Sequence, residues 1–215
     1  MKIAPSILSS DFSNLGAQVR EITKAGANLI HIDVMDGRFV PNITIGACVV
    51  KAIRNCSKLP FDVHLMIDQP HRFIGDFAGA GADSITFHYE AGSDIEKTIE
   101  LIKNFGVKVG LSVKPKTSVE KVFKYLPFVD MVLIMTVEPG FGGQTFMYDM
   151  LDKVKLCREK ICKQGLSTLI EVDGGINCTT VKSAKNAGVD ICVAGTAIFD
   201  SGDIVGAIKK LQKVE

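Results

Sequence analysis

Short apolar, β-branched runs recur along the chain. Each closes in a loop of Gly, Pro, Asp or Asn and leads into a stretch with helical spacing. The runs begin near Ile3, Asn28, Phe61, Asp83, Val107, Asp130, Thr168 and Asp190, eight in all. Their separation of about 20 to 40 residues is what one strand–helix unit needs. They are apolar at nearly every position, the pattern of strands covered on both faces, which favours a parallel sheet. Between them, Asp11 predicts the cap of a helix that runs through Arg20 and Lys24 to a stop at Gly26. A second helix, Asp94 to Phe105, carries Ile95, Ile99 and Ile102 at helical spacing and stops at Gly106. A third spans Asn177 to Asn186 before Gly188. Each pairs a start residue with a 3.6-residue period and a glycine stop. Three helices end in the same punctuation, Ala25-Gly26-Ala27-Asn28, Ala80-Gly81-Ala82-Asp83 and Ala187-Gly188-Val189-Asp190, each followed by a strand. Such regularity predicts an α/β fold of stacked units, a closed (β/α)₈ barrel in one domain over residues 1–215, with an open doubly wound sheet as the alternative.

Composition narrows the function. Lysine and arginine number 25 against 24 acidic residues, so the net charge of +1 exerts no general pull on nucleic acid or anionic membrane. The apolar run in Met1–Leu8 is broken by Pro5 and is too short for a signal-peptide core, and no segment nears the ~18 apolar residues of a membrane span. The expected location is cytoplasmic. Six cysteines without a CxxC pair, set in apolar segments, read as reduced packing residues.

In a barrel the chemistry sits at the C-terminal strand ends. The second run reads His31-Ile32-Asp33-Val34-Met35, the third ends in His64-Leu65-Met66, and the seventh ends in Glu171-Val172-Asp173-Gly174-Gly175. Alternate residues share a face, so His31 goes with Asp33 and Met35, His64 with Met66, and Glu171 with Asp173. If those faces point inward, two imidazoles and two carboxylates meet at the mouth. Buried carboxylates are costly unless paired, protonated or metal-bound. A divalent cation accounts for the set; the donors suit zinc, and iron(II), manganese and cobalt fit them as well. Met35, Met66 and Met135 lie at or just past strand ends, as gap-filling core or as an apolar lid. Glu171 is either a support for a ligand or a buried structural acid, and His88 lines the mouth or is a satisfied structural histidine.

Three consecutive exits are rich in glycine: Gly140-Phe141-Gly142-Gly143 after the sixth run, Gly174-Gly175 after the seventh and Gly195-Thr196 after the eighth. Glycine lets backbone amides approach an anion closely, and barrels commonly hold phosphate after strands seven and eight.

The motifs Ala4-Pro5-Ser6-Ile7-Leu8-Ser9, His31 to Gly37, Phe39-Val40-Pro41-Asn42, Asp62 to Met66, Thr136 to Gln144, Glu171 to Ile176 and Ala194 to Phe199 occur in order from residue 4 to about residue 200. Together they resemble the ribulose-phosphate 3-epimerase family. The resemblance implies a TIM barrel of the ribulose-phosphate-binding type that interconverts D-ribulose 5-phosphate and D-xylulose 5-phosphate. It implies His31, Asp33, His64 and Asp173 as metal ligands, with Asp33 and Asp173 also the acid/base pair. Ser6, His64 and Asp173 are then expected to touch substrate, and Gly140, Phe141, Gly142, Gly143, Gly174, Gly175, Gly195 and Thr196 to line the sugar and phosphate site. Thr196 stands where serine is common in the family, and its hydroxyl still reaches phosphate. One divalent ion per chain, no nucleotide cofactor and a homo-oligomer, dimer or hexamer, complete the expectation. Alternatives are a 3-epimerase of another ketose phosphate and a non-catalytic phosphosugar-binding barrel. A metal-free decarboxylase on the same barrel type would carry Asp-x-Lys-x-x-Asp, but residue 35 here is Met.

Overall fold

A computed structural model describes residues 1–213; the last two positions of the expected 1–215 domain lie outside the described residues. The eight strands are β1 (Lys2–Pro5), β2 (Ile30–Met35), β3 (Phe61–Met66), β4 (Ser84–His88), β5 (Lys108–Val113), β6 (Met131–Met135), β7 (Leu169–Asp173) and β8 (Ile191–Ala194), each starting within two residues of its expected position. All neighbours pair in parallel in the order β1-β8-β7-β6-β5-β4-β3-β2. The two remaining edges meet at one parallel bridge, Ser6 to His31, so the sheet closes into a barrel next to a candidate site residue.

Helices α1 (Leu15–Lys24), α2 (Ala47–Arg54), α3 (Ile74–Gly79), α4 (Ile95–Asn104), α5 (Met150–Lys163), α6 (Thr180–Ala187), α7 (Thr196–Phe199) and α8 (Ile204–Gln212) pack outside. Three expectations need correction. Asp11 caps a 3₁₀ turn, Phe12–Asn14, and α1 begins only after it. Helix α6 starts at Thr180, because Asn177 Oδ1 accepts the amides of Thr179 and Thr180 at 2.9 and 3.1 Å and forms a turn before the helix. After β5 the chain makes a 3₁₀ stretch, Val119–Phe128, in place of an α-helix; Pro127 inside it has no N–H to donate to a carbonyl four residues back.

The repeated punctuation has a physical basis. Gly26, Gly81 and Gly188 take φ of 90°, 100° and 101°, a left-handed turn that costs an L side chain and not glycine. The Asn or Asp two residues on then brackets the preceding strand. Asp83 donates its amide to Phe61 O at 2.9 Å, and its carboxylate accepts the Phe61 amide at 2.7 Å. Asn28 does the same to Ile3, Asp130 to Val109 and Asp190 to Ile170. Arg54 and Arg158 anchor two of these brackets, each bonding both the turn carbonyl (Gly81, Gly188) and the carboxylate (Asp83, Asp190). Every even-numbered strand is thus tied at its base to the strand before it, which fixes register from the bottom of the barrel upward.

The main core lies between strands and helices and includes Ile32, Val63, Phe87, Leu111 and Val172. Inside the barrel, the lower layer is apolar, with Ala4, Leu29, Met131, Ile191 and Val193. Above it the interior turns polar, with Asp62, His31, Thr86, Ser112 and Glu171 fully buried. Gly110 makes room for one of these: a Cβ there would fall 2.0 Å from the hydroxyl of Thr86, its partner in register on β4. Gly110→Ala is therefore expected to destabilise the fold by about 1–3 kcal/mol through overpacking. Urea unfolding checks this, and an unchanged midpoint would mean that the β4–β5 pair yields freely.

Candidate active site

The two-residue period of the strands places the site. It points His31 and Asp33 inward from β2 and Asp62 and His64 inward from β3, and register sets Asp33 directly beside His64. Asp173, at the end of β7, completes the group. Asp33 Oδ1 stands 3.3 Å from His31 Nε2 and 3.1 Å from His64 Nδ1; Asp173 Oδ2 stands 4.0 and 3.7 Å from the same nitrogens. One donor atom from each of the four lies within 4.8 Å of all the others. His31 Nε2 is buried and has no hydrogen-bond partner. An unpartnered imidazole nitrogen facing two carboxylates fits a cation at their centre, and two nitrogens with two oxygens suit a divalent ion.

The electrostatics separate the two mouth carboxylates. Burial opposes charge on Asp33, but the His31 and His64 imidazoles outweigh it and hold the carboxyl well below the usual range. Burial and the neighbouring Asp33 charge push Asp173 up to about 6. Two adjacent acids with opposite shifts are what acid and base roles at one pH require.

Buried groups below hold the ligands. His31 Nδ1 is 2.7 Å from Asp62 Oδ2, and Asp62 Oδ1 accepts the Ser84 hydroxyl at 2.7 Å. Burial opposes charge on Asp62, yet the His31 hydrogen bond leaves it lowered. Glu171 Oε1 lies 3.8 Å from His31 Nδ1, and burial and the Asp62 charge raise its carboxyl well above the ordinary value. Both effects favour the neutral form of this acid beneath the ligands. His88, on β4, places Nε2 2.8 Å from His64 Nε2, and burial lowers its imidazole to about 4. Ser6 donates its hydroxyl to Asp33 Oδ2 at 2.6 Å.

The cavity above Asp33 and Asp173 brings the three glycine-rich exits together: Gly140 to Gly143, Gly174 and Gly175, and Gly195 with Thr196 all line it. Ser6 and the three methionines line it as well. Met35 and Met66 pack with Val40 on one side, and Met135 packs with Leu133 and Val137 on another. Phe141, at the rim, is 55% exposed. At Gly175, φ is 66° and a Cβ would meet the Phe146 amide nitrogen at 2.5 Å, so the exit of β7 depends on glycine.

Sequence reasoning passed over several residues. Asp62 shares the face of His64 by the same two-residue spacing, which was its signal. Ser9 lines the cavity, and a Cβ at Gly195 would sit 2.4 Å from its hydroxyl. Thr136 bonds the carbonyls of Asp173 and Gly174 at 2.9 and 2.7 Å, and Asn42 bonds Gly140 O at 2.8 Å. All three lie inside the motifs that carry the resemblance, but neither period nor spacing gives them a role.

The profile of the Ribulose-phosphate 3 epimerase family matches residues 2–199. The chain belongs to this family. As a member it is an epimerase, and its relatives match almost end to end. Ribulose-phosphate 3-epimerase of Bacillus subtilis (strain 168) is 47% identical over 213 residues, covering 99% of this chain and 98% of that one. Its namesake in Escherichia coli (strain K12) is 44% identical over 211 residues, covering 98% and 94%. Among solved structures, 3-hexulose-6-phosphate synthase from Salmonella typhimurium superposes with a TM-score of 0.74 at 22% identity, covering 100% of this chain and 98% of that one, a likeness of fold.

Proposed function

We propose that this epimerase interconverts D-ribulose 5-phosphate and D-xylulose 5-phosphate, with Asp33 and Asp173 as its acid/base pair. The observation that carries the reading is the pair itself. Two carboxyl groups reach one cavity from β2 and β7, one held ionised and the other raised to about 6. Inversion at C3 needs such a pair. The ionised carboxylate takes the C3 proton, the C–H electrons form the C2–C3 double bond, and the ketone oxygen becomes an enediolate oxygen. The protonated partner then delivers a proton to C3 from the other face, and the roles exchange for the reverse reaction. No redox or nucleotide cofactor is needed.

His31, Asp33, His64 and Asp173 would hold one divalent ion, with zinc the best match to the donors. Bound there, it supplies positive charge against the negative charge that develops on the substrate oxygens. Ser6 holds Asp33 in place through its hydroxyl and meets the sugar. Met35, Met66 and Met135 keep the reacting carbon in an apolar, water-poor setting. Amides of Gly174, Gly175, Gly195 and Thr196, with the Gly140–Gly143 loop, grip the phosphate and orient C3 with binding energy from a distant part of the substrate. A single barrel domain over residues 1–215, cytoplasmic residence and assembly into a homo-oligomer belong to the same proposal. Among the described residues, no helix is long and apolar enough to cross a membrane.

Turnover in heavy water tests the chemistry. The product-face acid carries a solvent deuteron before substrate binds, so product is expected to gain one deuterium at C3 from the first turnover. Unreacted substrate is expected to gain less. Retention of the original C3 hydrogen in product would sink the two-acid mechanism. Equal efficiency on ribulose with and without its phosphate would sink the phosphate grip, and a preference for a six-carbon ketose phosphate would replace the substrate.

A further inference from the structure

The exit of β7 is held from behind by successive hydrogen bonds. Asp173 O accepts the Thr136 amide at 2.8 Å, Gly174 O accepts the Thr136 hydroxyl at 2.7 Å, and Gly175 O accepts the Thr180 hydroxyl at 2.9 Å. Thr136 Oγ1 also lies 2.9 Å from Asp173 O, but a hydroxyl has one hydrogen to give, and that carbonyl already has the amide. The bond that falls to the hydroxyl alone is the one to Gly174 O. Thr136 is fully buried and stands behind the cavity wall, so it acts on anything in the cavity only through this turn.

Space around the turn is tight. Gly174 takes φ of 116°, and a Cβ there would fall 2.3 Å from Val137 Cγ2. Gly175 is pressed against Phe146, and Thr136 O accepts the amide of the next residue, Met147, at 2.9 Å. A trans peptide points its C=O and N–H in opposite directions. With Gly174 O turned back to Thr136, the amide of Gly175, which belongs to the same peptide, is turned away from it. Gly175 lines the cavity, so that amide faces the space assigned to phosphate.

We propose that Thr136 is a positioning residue whose hydroxyl fixes the Gly174–Gly175 peptide and so aims the Gly175 amide at the substrate phosphate. The acid on the same strand end is held separately. Asp173 O keeps the backbone amide of residue 136 when the side chain there is changed. The hydroxyl therefore serves binding, and the amide serves the strand end that carries the acid. The inference rests on the phosphate grip proposed above.

Thr136→Val keeps the branched shape and deletes the hydroxyl. KM for D-ribulose 5-phosphate should rise about 3–10-fold, the usual worth of one hydrogen bond, with kcat nearly unchanged. Efficiency on unphosphorylated ribulose should stay the same, because that sugar offers the amide no phosphate. Thr136→Ser, which has the hydroxyl, should bind the phosphosugar nearly as well as wild type. Equal losses on both sugars would mark a merely structural role and overturn the proposal, as would an unchanged KM in a folded Val variant. Should that variant fail to fold, Thr136→Ala and Thr136→Ser, which differ by one hydroxyl, carry the same comparison. Wild type gives a readout free of turnover: added inorganic phosphate should shift the Gly175 amide resonance, and a resonance unmoved by phosphate would overturn the proposal. Wild type that handles ribulose equally with and without phosphate would remove the phosphate grip and this proposal with it. A phosphate-dependent wild type beside a Val variant of unchanged KM would remove this proposal alone.

Discussion

The Asp173→Asn variant is expected to lose about 10²–10⁴-fold in kcat, the usual worth of a positioned acid or base, while keeping its fold. Asp173 ends β7 with 15% of its side chain exposed, and Thr136 pins its carbonyl, so an isosteric amide leaves the strand end in place. Asp33→Asn should lose a similar factor. Because one turnover uses both groups, the double variant should be little worse than either single one; effects within one catalytic unit do not add. Each single variant also keeps one working carboxyl. In heavy water it should therefore wash deuterium into C3 of one epimer without converting it, and the two variants should label opposite epimers. Near wild-type turnover in either variant, or the same epimer labelled by both, would reject the two-acid assignment. Circular dichroism and a denaturation midpoint separate loss of chemistry from loss of fold.

Those two carboxylates were legible in the sequence because strands have a period of two and barrels put chemistry at strand ends. His31 and Asp33 share a face by arithmetic alone. What the arithmetic leaves open is which strands lie side by side. Asp33 meets His64 because β2 and β3 are in register, and Ser6 reaches Asp33 because β1 and β2 close the barrel at the Ser6–His31 bridge. The support of the site was harder to read. Asp62 begins a strand and resembles a residue at a strand base, the role that Asp83 and Asp190 do play, yet its parity sends it inward to His31. His88 touches His64 across 24 positions of sequence, through strand order rather than local pattern. Errors in the helices were of another kind. At Asn177 and at Phe12–Asn14 a side-chain-capped turn precedes the helix, and start signals are similar for both.

Stripping the protein of divalent ions is expected to lower turnover by about three decades or more, since stabilising charge on an enediolate is worth several kcal/mol and each 1.4 kcal/mol is tenfold. One equivalent of zinc per chain should restore it. The charges gathered at the four donors show why a cation would matter to these residues. Asp33 and Asp173 face each other across two imidazoles, and the resulting repulsion, with burial, raises Asp173 to about 6. Burial opposes charge on His31, but Asp33 and Asp62 outweigh it and raise the imidazole well above its ordinary value, toward its protonated form. Loading must displace these protons. Zinc binding should therefore weaken by tenfold or more for each unit that pH falls below about 6, where Asp173 is protonated, and release of protons on loading should be measurable by calorimetry in buffers of different ionisation enthalpy. Substitution at His31 or His64 should reduce both the zinc bound and the turnover that zinc restores. Undiminished turnover in protein shown by elemental analysis to hold no divalent ion would remove the cation from the mechanism, and would leave Asp33, Asp173 and the buried imidazoles to stabilise the enediolate by themselves.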